Sequence, residues 1–324
     1  MRLAAALHGG TSAGGAELAD DALRITWAAR DAGYSAVVAG QHFLTGPRAY
    51  LQPLPLLSHL IPESGDMRLV AGVLLMPFLN PVQLAEELAT LDVLSGGRLV
   101  VGAGQGYRQV EFDAFGVPRE ARLDAQLRTL DGLITLWLGG SPDGADAASG
   151  MRPVNEPYPP IWYAAGNRRA FTRAVDRGFT PFIGPQATPS AVAGLLSLAP
   201  RDGSVALRRD VLVTDTIGRE AAERALRQRA EQYSEWGYTT ADGSECPYLV
   251  GTADECRDGM RDLARAGVTD LVVRTNWPGV SGESSLDMLA AIGGPVTPAD
   301  PAGPYTDART HVPRPSERPA RSSR

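Results

Sequence analysis

Eight short runs rich in valine, leucine and isoleucine alternate with segments of helical period along most of the chain. This alternation constrains the fold more than any other feature. It builds a parallel sheet with crossover helices, because every strand must be covered on both faces and every return must cross the sheet. The predicted strands are residues 2–7, 35–39, 68–74, 98–103, 160–164, 179–183, 206–213 and 269–274, each followed by a helix. Several helix starts are written in the residues. Asn80-Pro81-Val82-Gln83 offers a cap, a proline at the first helical position and a glutamine that can bond back. Thr252-Ala253-Asp254-Glu255 repeats the pattern, and Asn167 can cap a helix opening at Arg168. Residues 139–160, rich in Gly, Pro, Ser and Asp, predict an irregular connection. Eight such units either close into a barrel or open as a doubly wound sheet, and periodicity does not separate the two.

The composition narrows the chemistry. With 324 residues, 44% hydrophobic content and a net charge of -6, the chain reads as one large globular domain, residues 1–292, followed by a Pro/Arg-rich tail, residues 293–324, expected to be disordered. No apolar stretch reaches the roughly 20 residues of a membrane span, and the start of the chain turns at Gly9-Gly10 before a signal peptide could be completed. A cytoplasmic protein with no membrane and no nucleic-acid partner is expected, since the barrel preceding the basic tail is acidic overall. Cys246 and Cys256 read as reduced thiols.

Every cation is arginine; the chain contains no lysine. Schiff-base aldolases, pyridoxal enzymes and P-loop NTPases, which need that amine, are thereby excluded. The histidines are His8, His42, His59 and His311, and no HxH or HExxH pair exists to ligate zinc, so no metal site is expected. A chain so poor in catalytic side chains points to an organic cofactor. The run LVVGAGQGY, Leu99 to Tyr107, invites a dinucleotide reading, but its glycines do not open directly into a helix and no acid follows at a strand end. Gly102, Gly104 and Gly106 instead read as room for a planar ring at the sheet's mouth, or simply as tight turns.

The segment GVLLMPFLNPVQLAEELATLDVLSGGRLVVGAGQGYRQVEFDAFGVP, Gly72 to Pro118, resembles the central signature of the bacterial luciferase-like flavin-dependent monooxygenases. AGQHFLT (Ala39 to Thr45), PYPPIWYAAGNRRAFTRAVDRG (Pro157 to Gly178), LVGTADE (from Leu249) and DLVVRTNWPG (from Asp270) extend the similarity in the family's order over about residues 1–292. The resemblance implies a single (β/α)8 TIM barrel, a flavin at the carboxyl ends of the strands and a homodimer. Gly72 and Val73 match a non-prolyl cis peptide that props the flavin ring from behind. Gly104 and Gln105 match positions beside the ring and phosphate, although relatives often hold arginine where Gln105 stands. Asn167, Arg168 and Arg169 match a helix start that binds phosphate, with Arg122 a further candidate; an anion at a helix N-terminus is physically sound. Trp277 matches a position over the ring. For these arginines a solvated helix face, and for Trp277 simple packing, remain alternatives.

His42 and Gln41 are the catalytic candidates. Relatives often read EHH or DH where this chain has GQHF, and a Gln41 in the catalytic position can hydrogen-bond but cannot take a proton at neutral pH. His42 is either a base at the barrel mouth or a packed histidine beside it; His8 has a weaker claim, and His59 reads as helix surface or core. The expected function is oxygenation of a small organic substrate by reduced FMN and O2. A separate flavin reductase supplies the electrons, since no second nucleotide fingerprint is present. The alternatives are hydride transfer with a deazaflavin and a catalytically silent flavin-binding partner subunit. A carboxylate-pair hydrolase needs two acids at strand ends, where only Asp215 qualifies.

Overall fold

The computed structural model describes residues 1–7, 14–141, 148–235 and 246–296. Its strands are β1 (Arg2–Ala6), β2 (Ala36–Ala39), β3 (Arg68–Leu75), β4 (Leu99–Gly104), β5 (Ile161–Ala164), β6 (Thr180–Ile183), β7 (Ala206–Val213), β8 (Leu249–Gly251) and β9 (Asp270–Arg274). The helices are α1 (Gly15–Asp31), α2 (Pro53–Leu60), α3 (Pro81–Leu94), α4 (Gln109–Phe115), α5 (Arg122–Trp137), α6 (Arg168–Asp176), α7 (Pro189–Leu196), α8 (Thr214–Ile217), α9 (Arg219–Glu235), α10 (Ala253–Arg265) and α11 (Gly282–Ile292).

All eight predicted strands are present, and they settle the choice that periodicity left open. β1 to β7 pair in sequence, β9 joins β7 to β1, and every pairing is parallel, so the sheet closes into a (β/α)8 TIM barrel. The unforeseen strand, β8, takes over the edge of β7 beyond the ring, with Val211 opposite Leu249. Three residues are too few to carry a periodic signal.

Strand alternation sorts side chains into two apolar layers. Ala4, Ala36, Val70, Val100, Trp162, Ala206 and Val272 fill the barrel interior, while a larger layer packs between strands and helices. The floor is ionic. Asp270, 1% exposed, accepts hydrogen bonds from Arg2 (2.8 and 2.9 Å) and Arg68 (2.7 Å), which ties the starts of β9, β1 and β3 together. Burial pushes its carboxyl up, but Arg68 and Arg2 outweigh that and hold it below the ordinary range.

The expected caps form. Asn80 accepts from the Val82 and Gln83 amides, and Thr252 makes a reciprocal box with Glu255. Gln83 does not reach back as expected; its amide donates to Glu87 one turn on. Residues 293–296, assigned to the tail by composition, pack onto the barrel. Gly294 N donates to Ala32 O at 2.8 Å, Arg257 holds Gly293 O, and Val296 is buried. Residues 297–324, with His311, lie outside the described residues, as does His8. Cys246 and Cys256 are both free. No helix of the described residues is long and apolar enough to cross a membrane.

Candidate active site

A cavity of about 440 Å³ opens at the carboxyl ends of the strands. Its wall takes residues from β1 (Ala6), β2 (Ala39), β3 (Gly72, Val73), β4 (Gly104), β5 (Ala164), β6 (Phe182), β7 (Arg208) and β9 (Arg274), so the whole ring contributes. A barrel puts its loops and most variable chemistry at this end.

The wall formed by β3 and β4 is tightly built. The Gly72–Val73 peptide bond is cis and faces the cavity, and the β3–β4 register shifts across it. The glycines of β4 serve this junction more than they serve a ligand. A Cβ on Gly102 would lie 2.7 Å from Gly72 Cα and 2.8 Å from Ala71 O, and one on Gly104 would lie 2.5 Å from Val73 Cγ2. These glycines read from sequence as room for an approaching ring or as tight turns; at Gly102 the approaching group is the backbone of β3.

His42 and Gln41 follow β2 and both line the cavity. Gln41 is occupied structurally. Its Oε1 accepts from Leu75 N at 2.8 Å and its Nε2 donates to Gln52 Oε1 at 3.2 Å. His42 stands edge-on to Tyr50 and Tyr107, at centroid separations of 5.1 and 5.9 Å. Its Nδ1 lies 3.3 Å from Glu111 Oε1, an oxygen that also accepts from Phe43 N (3.0 Å) and Arg108 (3.3 Å).

Sequence reasoning missed Glu111. The signal was present: a carboxylate on α4 between Val110 and Phe112, beside the one aromatic of that helix that enters the core. Glu111 is fully buried. Burial pushes its carboxyl up, but the hydrogen bonds from His42 and Phe43 and the charge of Arg108 prevail and hold it below its ordinary 4.5. A depressed folded value contributes stability that is complete above the unfolded value and lost as pH falls through the folded one. Glu111→Gln should therefore lose stability relative to the parent near neutrality and converge on it in acid; urea melts from about pH 6 down to about pH 3 measure this.

The phosphate candidates separate. Asn167 lines the cavity and caps α6, accepting from Ala170 N at 3.0 Å, which aims the first turn of α6 at the cavity mouth. Gln105 also lines it. Arg168 and Arg169 are exposed, and neither side chain is part of the wall. Arg122 donates to Arg119 O at the start of α5 and is likewise outside it. Trp277 does not cover the cavity: it is 2% exposed, donates to Val211 O at 2.7 Å and packs 5.0 Å beneath the Arg229 guanidinium. His59 is exposed on α2.

A second missed group lies on β7 and β9. Arg208, Asp210 and Arg274 face the barrel mouth, and Asp210 is fully buried against Tyr233 (2.6 Å) and Arg229 (3.6 Å) from α9. The run ALRRDVLV contained the signal, since charges inside a strand covered on both faces need a local purpose.

The luciferase-like monooxygenase family profile matches residues 2–199. The oxygenase component of a flavin-dependent trigonelline monooxygenase from Acinetobacter baylyi is 28% identical over 181 residues, covering 52% of this chain and 49% of that protein. The chain spans about half the length of the curated relatives it matches. Among solved structures, monooxygenase RslO1 from Streptomyces bottropensis superposes with a TM-score of 0.74 at 23% identity, covering 89% of this chain and 96% of that one. An F420-dependent secondary alcohol dehydrogenase superposes at 0.69 and 16% identity, covering 90% and 99%. At these identities the structural likeness is one of fold.

Proposed function

The chain belongs to the luciferase-like monooxygenase family, and from that membership we propose that it oxygenates a small organic substrate using reduced FMN and O2. The observation that carries the proposal is that one cavity at the carboxyl ends of the strands is lined by Val73, the side-chain-free Gly104, Gln105 and Asn167, the cap of α6.

These residues fit the cofactor. Val73 and Gly104 would back the ring, while the first-turn amides of α6, with Asn167 and Gln105, would meet the phosphate. Arg168 and Arg169 would add only charge at the rim. When bound, reduced FMN would supply two electrons to O2, so that one oxygen atom enters the substrate and the other leaves as water. The chain's own part is positional. Leu7, Leu56, Phe182 and Val272 give the cavity apolar walls that disfavour water around a bound ligand. The Glu111 carboxylate favours a proton on His42 Nδ1 and orients the ring, and we assign proton exchange with a cavity ligand to that imidazole.

We assign the electron supply to a separate flavin reductase, a reading supported by the relative described as the oxygenase component of a flavin-dependent monooxygenase. Phe115, 42% exposed and packed against the Phe43 and Phe78 rings, and Leu44, 58% exposed, are apolar surface that supports a homodimer.

The decisive experiment titrates the protein with FMN, riboflavin and a deazaflavin, then supplies reduced FMN under air. FMN should bind at least about tenfold tighter than riboflavin. Oxygen uptake tied to product should follow added reductase, with NADH alone oxidised negligibly. Hydride transfer from a reduced deazaflavin, with no product from reduced FMN, would replace this reading with the dehydrogenase one. Flavin binding with neither reaction would favour a silent subunit.

A further inference from the structure

Across the cavity from the β3–β4 wall, β7 and β9 present two guanidiniums, Arg208 and Arg274, and among the described residues no carboxylate side chain lines the cavity. We infer that Arg208 and Arg274 form an anion subsite and that the substrate is a small organic carboxylate with an apolar body. The inference rests on the flavin reading of the same cavity and adds the substrate's chemical class.

Strand register creates the pair. Ala206 and Val272 point into the barrel, Arg208 sits opposite Val272, and Arg274 sits opposite Asp210, so alternation delivers both arginines to the inner face at the mouth. Asp210 lies behind them, buried and ionised. Burial pushes its carboxyl up, but Arg229, Arg274 and Arg208 and the Tyr233 hydroxyl together bring it down to about 2. Its Oδ2 accepts a hydrogen bond from the Tyr233 hydroxyl at 2.6 Å, and its Oδ1 stands 3.4 Å from Arg208 Nη2. Asp210 is flanked by three guanidiniums, Arg208, Arg229 and Arg274. Like charges beside a low-dielectric cavity raise one another's energy and concentrate anions within it. Guanidinium forks, unlike ammonium groups, also match a carboxylate in two parallel hydrogen bonds.

Position assigns the anion to the substrate rather than to the cofactor. The ring's backing lies on β3 and β4 and the expected phosphate site follows β5, whereas Arg208 and Arg274 occupy the sector between β6 and β1. The same sector offers Ala6, Leu7, Phe182 and Val272 to an apolar body.

Calorimetry with benzoate and its neutral isostere benzamide tests the inference, on protein with and without FMN. The parent should bind benzoate at least about tenfold tighter than benzamide. Arg274→Gln should erase that preference, with benzamide affinity within about twofold. Arg274→Lys should keep a reduced preference, and Arg208→Gln provides a second neutralisation should Arg274→Gln fail to fold. Equal binding of the two probes by the parent overturns the inference, as does a benzoate preference that survives both neutralisations. Loss of the FMN-over-riboflavin preference in Arg274→Gln overturns it too, by giving the guanidiniums to the cofactor phosphate. Absence of any flavin binding would defeat the flavin reading alone, because the benzoate comparison on flavin-free protein stands independently.

Discussion

Gly102→Ala is expected to destabilise the barrel by about 3 kcal/mol, or roughly 5 to 10 °C in melting temperature for a chain of this size. The added methyl group would meet Gly72 Cα at 2.7 Å, Ala71 O at 2.8 Å and Val73 Cα at 3.0 Å. All three are backbone atoms of the neighbouring strand, so no rotamer change relieves the contact. The ladder between β3 and β4 must open, and it sits in a close-packed layer with little slack. Gly104→Ala makes the control. Its nearest neighbours are the Val73 side-chain atoms Cγ2 at 2.5 Å and Cβ at 3.1 Å rather than β3 backbone, so the fold should survive a small shift of Val73, with a reshaped cavity wall and weaker FMN binding. Thermal melts and flavin titrations of both variants check this. A Gly102→Ala protein that melts within about 2 °C of the parent would show that the strands separate more easily than their contacts indicate.

The barrel was legible because its rules are local. Each strand run lies within two residues of its observed bounds, and the Asn167 and Thr252 caps form where the residues placed them. β8 escaped because three residues carry no period. In the site, Gly72, Val73, Gly104, Gln105, Gln41, His42 and Asn167 converge on one cavity, since all stand at or just past strand ends. What the sequence could not carry was direction. Arg168 and Arg169 are at the right helix start with exposed side chains. Trp277 follows the right strand yet packs between Arg229 and the β7 backbone. A glycine announces missing atoms without saying what occupies their place, and at Gly102 that is β3. The buried acids were hardest. Glu111 and Asp210 make sense only against partners far along the chain, His42 and Arg229, that the fold alone brings within reach.

His42→Ala should retain flavin binding within a few-fold while turnover falls by roughly 100-fold to 10,000-fold, the range for removal of a general acid or base. Glu111 acts through that ring rather than on the substrate. It is fully buried on α4, and its Oε1 collects Nδ1 of His42, the Phe43 amide and Arg108. Truncating it to alanine would strand those donors and risk the fold, so Glu111→Gln is the informative change: it keeps the volume and one acceptor while removing the charge. Turnover should drop by about tenfold to 100-fold, chiefly in kcat, because the ring loses the partner that fixes its tautomer and orientation. The discriminating measurement is the double variant. If Glu111 works only by holding His42, adding Glu111→Gln to His42→Ala should cost little further turnover, and imidazole in solution should restore part of the activity to His42→Ala with either residue at position 111. Fully additive losses would make Glu111 a contributor to the fold alone, and unchanged turnover in His42→Ala would return the histidine to a packing role beside Tyr50 and Tyr107.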